Sequence, residues 1–402
     1  MIRVAILSPA AELGGAERSL LTFLKAAHPS LIDATVILPR KGPLCRHLDS
    51  LGVPCIVIPQ PTELLNLTRS LNKISIISYL KIPYSGCKYL QRLTTCLQKL
   101  SPEILYSNGI KFHFFSSILS YRLHIPVVWH VRDQWSNALL GLIGDLCPEL
   151  IIANSQATAA KLRNHMRGKD KVVVIHNAVD IDEFSPEGPT VNLGGKKEEE
   201  YWIGLPGPLA EIKGQKLFLR AAQRIRQIYP LAKFFIIGGF IYDTLKDRAY
   251  EAELRRCISE FGLAECVSIT GFQVQMAPWY RSMDVIVNTS IIPEGFGRTL
   301  LEAMACGRAV IGPNAGGIPE FVQHGKAGFL YEMASPRALV DAVIKLLNND
   351  ELRTVMGSEG RRVAVQRFSL PFHAESISKA LQSARNSYSK RNVTKSIRKE
   401  GI

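Results

Sequence analysis

Glu294 and Glu302 stand in the stretch PEGFGRTLLEAMACG, residues 293–307, with Gly295, Phe296 and Gly297 forming the turn between them. Ionised carboxylates only accept hydrogen bonds, so a pair of them flanking a turn suits a ligand with hydroxyl groups at both ends. The turn runs into a helix, and the first N–H groups of a helix lack intrahelical acceptors and carry partial positive charge. The amides of Gly297, Arg298 and Thr299 can therefore hold a phosphate, and Gly295 and Gly297 let it approach the backbone closely. Glu302 lies just beyond that turn, where it can accept from the vicinal hydroxyls of a ribose, and Glu294 would meet the other end of the ligand. The chemistry is a cradle for a nucleoside diphosphate carrying a polyhydroxyl group. An isolated pair of this kind is as readily a solvated helix residue and a loop charge, so the surrounding sequence has to decide.

The elements that position the pair follow from the apolar pattern. DVIVNTS reads as a strand, IIPEGFGR as the loop leaving its carboxyl end, and RTLLEAMAC as a helix with Leu300, Leu301 and Met304 at helical spacing and Gly307 as its stop. Short β-branched runs alternate with helical patterns along the whole chain, from IRVAIL and GGAERSLLTFLKAA to PVVWHV and KVVVIHNAVD. That alternation predicts βαβ units, mostly parallel sheets and ligands at the carboxyl ends of strands. The pattern stops at EFSPEGPTVNLGGKKEEE, residues 183–200, which reads as a linker, and a second α/β series begins at YWIGLPG. The predicted class is thus α/β with two Rossmann-like domains facing each other across a cleft. Their expected extents are 1–182 and 201–367, followed by an amphipathic helix at 368–388 that packs back on the first domain and a basic tail at 389–402.

Composition narrows the partners. A chain of 402 residues with 47% apolar residues can fill two cores, and its net charge of +14 calls for something anionic: a nucleotide, a nucleic acid or a membrane face. No apolar run reaches membrane-spanning length, and the start MIRVAILSPAAELGGAE reads as strand and loop, which predicts a cytoplasmic protein. The eight cysteines show no CxxC and no paired spacing with histidine, disfavouring zinc and disulfides alike. Residues 64–100 carry Arg69, Lys73, Lys81, Lys88, Arg92 and Lys99 without one acidic side chain. The segment is either a solvated helical face or a docking face for the anionic inner leaflet of a membrane. The aromatic and basic interleaving of a single-strand nucleic-acid binder is missing, so nucleic acid is not an expected partner.

The stretch PEGFGRTLLEAMACGRAVIGPNAGGIPEFV, with HGKAGFLY after it, closely resembles the donor-site region of the retaining glycosyltransferases of family four, which have the GT-B fold. Glu294 and Glu302 match their E-x7-E motif, and the likeness continues through GGAERSLL, VVWHVRD, IIANSQATAAKL, VVVIHNAVDIDEFSP, EIKGQ and RFSL in order. The resemblance implies transfer of a sugar from a nucleoside diphosphate sugar to a hydroxyl acceptor with retention, in the making of a polysaccharide or glycolipid. It implies that Glu302 binds the donor ribose, Glu294 a hydroxyl of the donor sugar, and Lys213 the diphosphate, a task that suits a compact ammonium. It also makes Gly14 and Gly15 the amino-terminal glycine loop and His130 the active-site histidine, with Arg132 and Asp133 as further acceptor contacts. One departure stands out: the family's arginine before the Lys-Gly pair is replaced by Pro208, and Arg298 is the residue expected to substitute for it in part. Asp180 to Asp182 imitate a metal-binding DxD, but the segment falls at the end of the first domain, so no metal and no other cofactor is expected. An epimerase or phosphorylase on the same scaffold, or a non-catalytic sugar-nucleotide binder, remains open on sequence grounds.

Overall fold

Strands that are apolar at nearly every position need both faces covered, which helices on the two sides of a parallel sheet provide. In the computed structural model, which describes residues 1–61, 84–132, 138–241 and 244–399, the chain forms two compact units. One is Met1–Ala178 with Leu370–Ile402 and the other Val179–Ser369.

The first unit holds the strands β1 (Ile2–Leu7), β2 (Ile32–Leu38), β3 (Cys55–Val57), β4 (Ile104–Ser107), β5 (Val127–Val131), β6 (Leu150–Ala153) and β7 (Val172–Val174) in the order β3-β2-β1-β4-β5-β6-β7. All of these pairings are parallel. Alternate residues face opposite cores, as the strand period requires: Ala5, Leu7 and Trp129 join one, and Val4, Ile6 and Val128 the other. The helix Leu370–Lys399 lays Ala374, Ile377, Leu381 and Ala384 on the second of these cores.

The second unit repeats the design with β8 (Trp202–Pro206), β9 (Lys233–Ile237), β10 (Val267–Ile269), β11 (Val285–Val287), β12 (Ala309–Pro313) and β13 (Phe329–Tyr331), ordered β10-β9-β8-β11-β12-β13 and again parallel. Each sheet starts near its middle, winds to one edge and then crosses back. The reversal creates a switch point between β1 and β4 in the first unit and between β8 and β11 in the second. Crevices of this kind, outside the carboxyl ends of the strands, are where α/β sheets bind ligands.

Two sequence expectations need correction. Residues 183–200 are not a free linker: the change of unit falls between Ala178 and Val179, and the segment beyond is bound to the second unit. The Arg281 guanidinium donates to the carbonyls of Glu183, Ser185 and Pro189, and the Ser282 hydroxyl accepts from the amide of Val191. The carboxyl-terminal helix, expected to end at 388, runs on to Lys399 through most of what reads as a tail. Of residues 64–100, those up to 83 lie outside the described residues; the rest form the helix Tyr84–Leu100, which buries Tyr89, Leu90, Leu93 and Leu97 and exposes Lys88, Arg92 and Lys99.

Candidate active site

The loops leaving β8 and β11 are tied to each other at the switch point. The Ile291 amide donates to the Ile212 carbonyl at 3.0 Å, and the Thr289 hydroxyl donates to the carbonyls of Lys213 and Gly214 at 2.8 and 3.1 Å. Gly214 makes this closeness possible. Its φ of +69° lies in the left-handed region, and a Cβ there would stand 1.9 Å from the Thr289 carbonyl oxygen.

The stitching delivers Lys213 to Glu294. Glu294 Oε1 accepts from Lys213 Nζ at 2.7 Å, from Asn288 Nδ2 at 2.9 Å and from the Ser290 hydroxyl. Behind the carboxylate, the Glu294 carbonyl accepts from the Gly317 amide at 3.0 Å, and Gly316, at φ +64°, packs so closely that a Cβ would meet that carbonyl at 2.2 Å. Burial alone would raise the Glu294 pKa. The Lys213 charge and the hydrogen bonds from Asn288, Lys213 and Ser290 outweigh it and hold the carboxyl below its ordinary value.

The loop then enters the helix Arg298–Ala305 through Gly297 at φ +97°. The Phe296 side chain is buried against Phe321 and Phe368, so only its backbone is offered to the loop. Gly295 and Thr299 are half-buried. Glu302 has its two oxygens divided: Oε1 accepts from Arg298 Nη2 at 2.9 Å and Oε2 from the Tyr280 hydroxyl at 2.8 Å. Two ion pairs thus stand in one short segment, and all four side chains keep between 11% and 27% of their surface in solvent. That residual exposure leaves a ligand something to reach.

His130, Gly14 and Gly15 belong to the other unit. Gly14 caps the helix Gly15–Ala27 at the end of the loop that leaves β1, and a Cβ on it would stand 2.7 Å from the Glu17 carboxylate. At the β1/β4 switch point Asn108 donates to the Ser8 hydroxyl at 3.3 Å and accepts from Arg132. His130 is wholly buried in β5, its Nδ1 hydrogen bonded to the Tyr106 hydroxyl and its Nε2 without a hydrogen-bond partner among the described residues. Burial, reinforced by the Arg132 charge, pushes its pKa well below the usual histidine value, so the ring is neutral. Asp133 lies outside the described residues.

Comparison with known proteins settles the family. A model described as glycosyl transferases group 1 matches residues 200–349, and one described as glycosyltransferase family 4 matches residues 13–183, so that between them they span most of the chain. The chain belongs to the family 4, group 1 glycosyltransferases. It is 26% identical to the D-inositol 3-phosphate glycosyltransferase of Corynebacterium jeikeium over 80% of this chain and 84% of that one. It is 30% identical to the GDP-mannose-dependent alpha-(1-6)-phosphatidylinositol monomannoside mannosyltransferase of Mycolicibacterium smegmatis, over 46% of this chain and 50% of that one. Among solved structures, Anabaena Alr3699/HepE in complex with UDP and glucose superposes with a TM-score of 0.80 at 22% identity, covering 95% of this chain and all of that one. The fold is therefore that of the GT-B enzymes, and the reaction is transfer of a sugar.

Sequence reasoning missed several residues of this candidate site. Asn288 and Ser290 read as the end of a strand, whereas β11 stops at Val287 and both side chains turn to Glu294. The signal was present: three polar residues, NTS, directly after an apolar run. Gly316, Gly317 and Tyr280 offered no comparable sign. The loop carrying Pro208 is anchored by Gln215, whose Nε2 donates to the Pro208 carbonyl at 2.9 Å, and Arg298, the expected substitute for the missing arginine, is turned to Glu302.

Proposed function

We propose that this glycosyltransferase takes its sugar from a nucleoside diphosphate sugar held on the second unit and passes it, with retention of configuration, to a hydroxyl acceptor. The observation that carries the reading is the Lys213–Glu294 ion pair at the β8/β11 switch point, followed within one loop by Arg298 and Glu302 at a helix mouth. Lys213 neutralises the charge that the leaving diphosphate gains as the glycosidic bond breaks, and the first-turn amides add fixed donors. Glu294, kept ionised by its three donors, accepts from a hydroxyl of the donor sugar. Glu302 takes the ribose. Retention follows without a second carboxylate if the leaving phosphate accepts the acceptor's proton on the face it departs from.

Arg298 leaves Glu302 when the donor enters and turns to the phosphate, standing in for the arginine that Pro208 replaces. Arg298→Ala should then raise the donor KM about tenfold; an unchanged KM and kcat would exclude the exchange. With Lys213, Arg298 and the helix mouth supplying the positive field, transfer proceeds without a divalent metal, and excess EDTA should leave the rate unaltered. The acceptor is proposed to be membrane-linked and reached by peripheral contact. The exposed Lys88, Arg92 and Lys99 support this, as does the helix Ala138–Leu146, which leaves Leu142 and Leu146 more than half exposed. No helix among the described residues is long and apolar enough to cross a membrane. The deciding experiment is a thermal-shift screen of UDP- and GDP-sugars, followed by proton NMR of the transfer product. An inverted anomeric coupling, or conversion of the sugar with no acceptor present, would replace this reading.

A further inference from the structure

Glu302 does not hold its own orientation. It sits on the helix Arg298–Ala305 with little exposure, and one of its two partners, Arg298, is on the first turn of the same helix and half-buried at the loop. The other is different in kind. Tyr280 comes from a separate helix, Ala277–Ser282, has no solvent exposure, and packs its ring against Phe184 in the core. Its neighbour Arg281 locks that short helix to the carbonyls of Glu183, Ser185 and Pro189, so the Tyr280 ring has little freedom to move.

We infer that Tyr280 is the positioning residue for nucleotide recognition: its hydroxyl, donated to Glu302 Oε2 at 2.8 Å, fixes the carboxylate so that both oxygens face the two ribose hydroxyls. The inference rests on the donor reading given above. A carboxylate offers about four acceptor positions. Tyr280 takes one on Oε2 and Arg298 one on Oε1, which leaves each oxygen able to accept one more hydrogen bond, the number a vicinal diol supplies. When Arg298 departs for the phosphate, Tyr280 alone stops the carboxylate from rotating about its terminal bond, a soft torsion with no strong preference of its own. Burial and the adjacent Glu302 charge raise the tyrosine pKa well above its usual value, so the hydroxyl stays a donor throughout the working pH range.

The test is a ratio measured within each protein, which a general loss of stability does not move. UDP and GDP and their 2′,3′-dideoxy forms are titrated calorimetrically into the wild type, Tyr280→Phe and Glu302→Gln. The wild type should bind one of the ribonucleotides about tenfold or more tighter than its dideoxy form, since a site built for hydroxyl groups rejects the analogue that lacks them. Glu302→Gln should lower that ratio by more than Tyr280→Phe does, since the amide keeps only one neutral acceptor oxygen of the two. Tyr280→Phe should lower it about threefold or more, with unchanged affinity for the dideoxy form, a raised donor KM and an unchanged kcat. A Tyr280→Phe protein that keeps the wild-type ratio overturns the positioning role and leaves the donor reading intact. A wild type without discrimination, or a Glu302→Gln protein that retains it, overturns the ribose reading and the role of Tyr280 together.

Discussion

At the β8/β11 switch point the loop side chains are ion pairs with an open edge: Lys213 is 27% and Glu294 15% exposed. At the β1/β4 switch point, with the same strand arrangement, Ser8 and Asn108 have no exposure, and Asn108 donates to the Ser8 hydroxyl and accepts from Arg132. One crevice keeps its charges where a ligand can exchange with them, and at the other Ser8 and Asn108 are hydrogen bonded and closed off from solvent. The same topology therefore does not give the same chemistry. What differs is the pair of side chains at the switch point: the ion-paired Lys213 and Glu294 in one unit, the buried Ser8 and Asn108 in the other.

The contrast predicts that loss of a charged side chain at the β8/β11 crevice acts on rate, that a backbone change there acts on both rate and stability, and that changes at the β1/β4 crevice act on stability. Glu294→Gln should lower kcat by about two to three orders of magnitude, measured as nucleoside diphosphate release, while the denaturation midpoint moves little. Next comes Gly214→Ala, which forces a side chain into the left-handed region and onto the Thr289 carbonyl. Here about 3 kcal/mol of stability should go, together with most of the turnover, because Lys213 moves with the loop. Asn108→Ala in the sealed crevice should cost about 2 kcal/mol in guanidinium unfolding and leave the donor KM near that of the wild type. A large effect on KM with no loss of stability would reverse the comparison.

The smallest effect is one of pH. Burial holds the His130 pKa well below normal and, with Arg132 adding to it, brings His113 down to about 3. In the unfolded chain both take up protons near their usual value of about 6.5. Below that pH the unfolded state binds more protons than the folded one, so stability falls with acidification and is flat above it. Unfolding free energies at about pH 6.5 and 5.5 should differ by about 1 kcal/mol for each of the two histidines, and His130→Gln should remove its own share. Glu294 has the opposite sign of charge and a depressed pKa, so its contribution is complete above its ordinary value of 4.5 and goes only at lower pH.

Much of the fold was legible because parallel strands buried on two faces leave unbroken apolar runs, and a glycine turn between two glutamates is a local pattern. The misread parts depend on partners distant in sequence. Residues 183–200 look like a linker because Pro, Gly and charges replace periodicity, and the guanidinium that binds their carbonyls is at position 281. Carbonyl acceptors leave no mark in residue type. Tyr280 gave no sign in the sequence, since only its hydroxyl, one atom, is committed to Glu302. Gly316 could not be told from an ordinary turn glycine until the Glu294 backbone was seen against it.

The first sheet draws one of its covering helices, Leu370–Lys399, from beyond the whole of the second unit. During synthesis on the ribosome, Ile2, Val4 and Ile6 therefore wait without Ile377 and Leu381 until the whole of Val179–Ser369 has been translated. The second unit has all its own segments first and can finish folding first. A nascent chain halted before that last helix would leave open the part of this sheet's core that Ala374, Ile377, Leu381 and Ala384 cover, while Leu20, Phe23 and Leu24 already cover the rest.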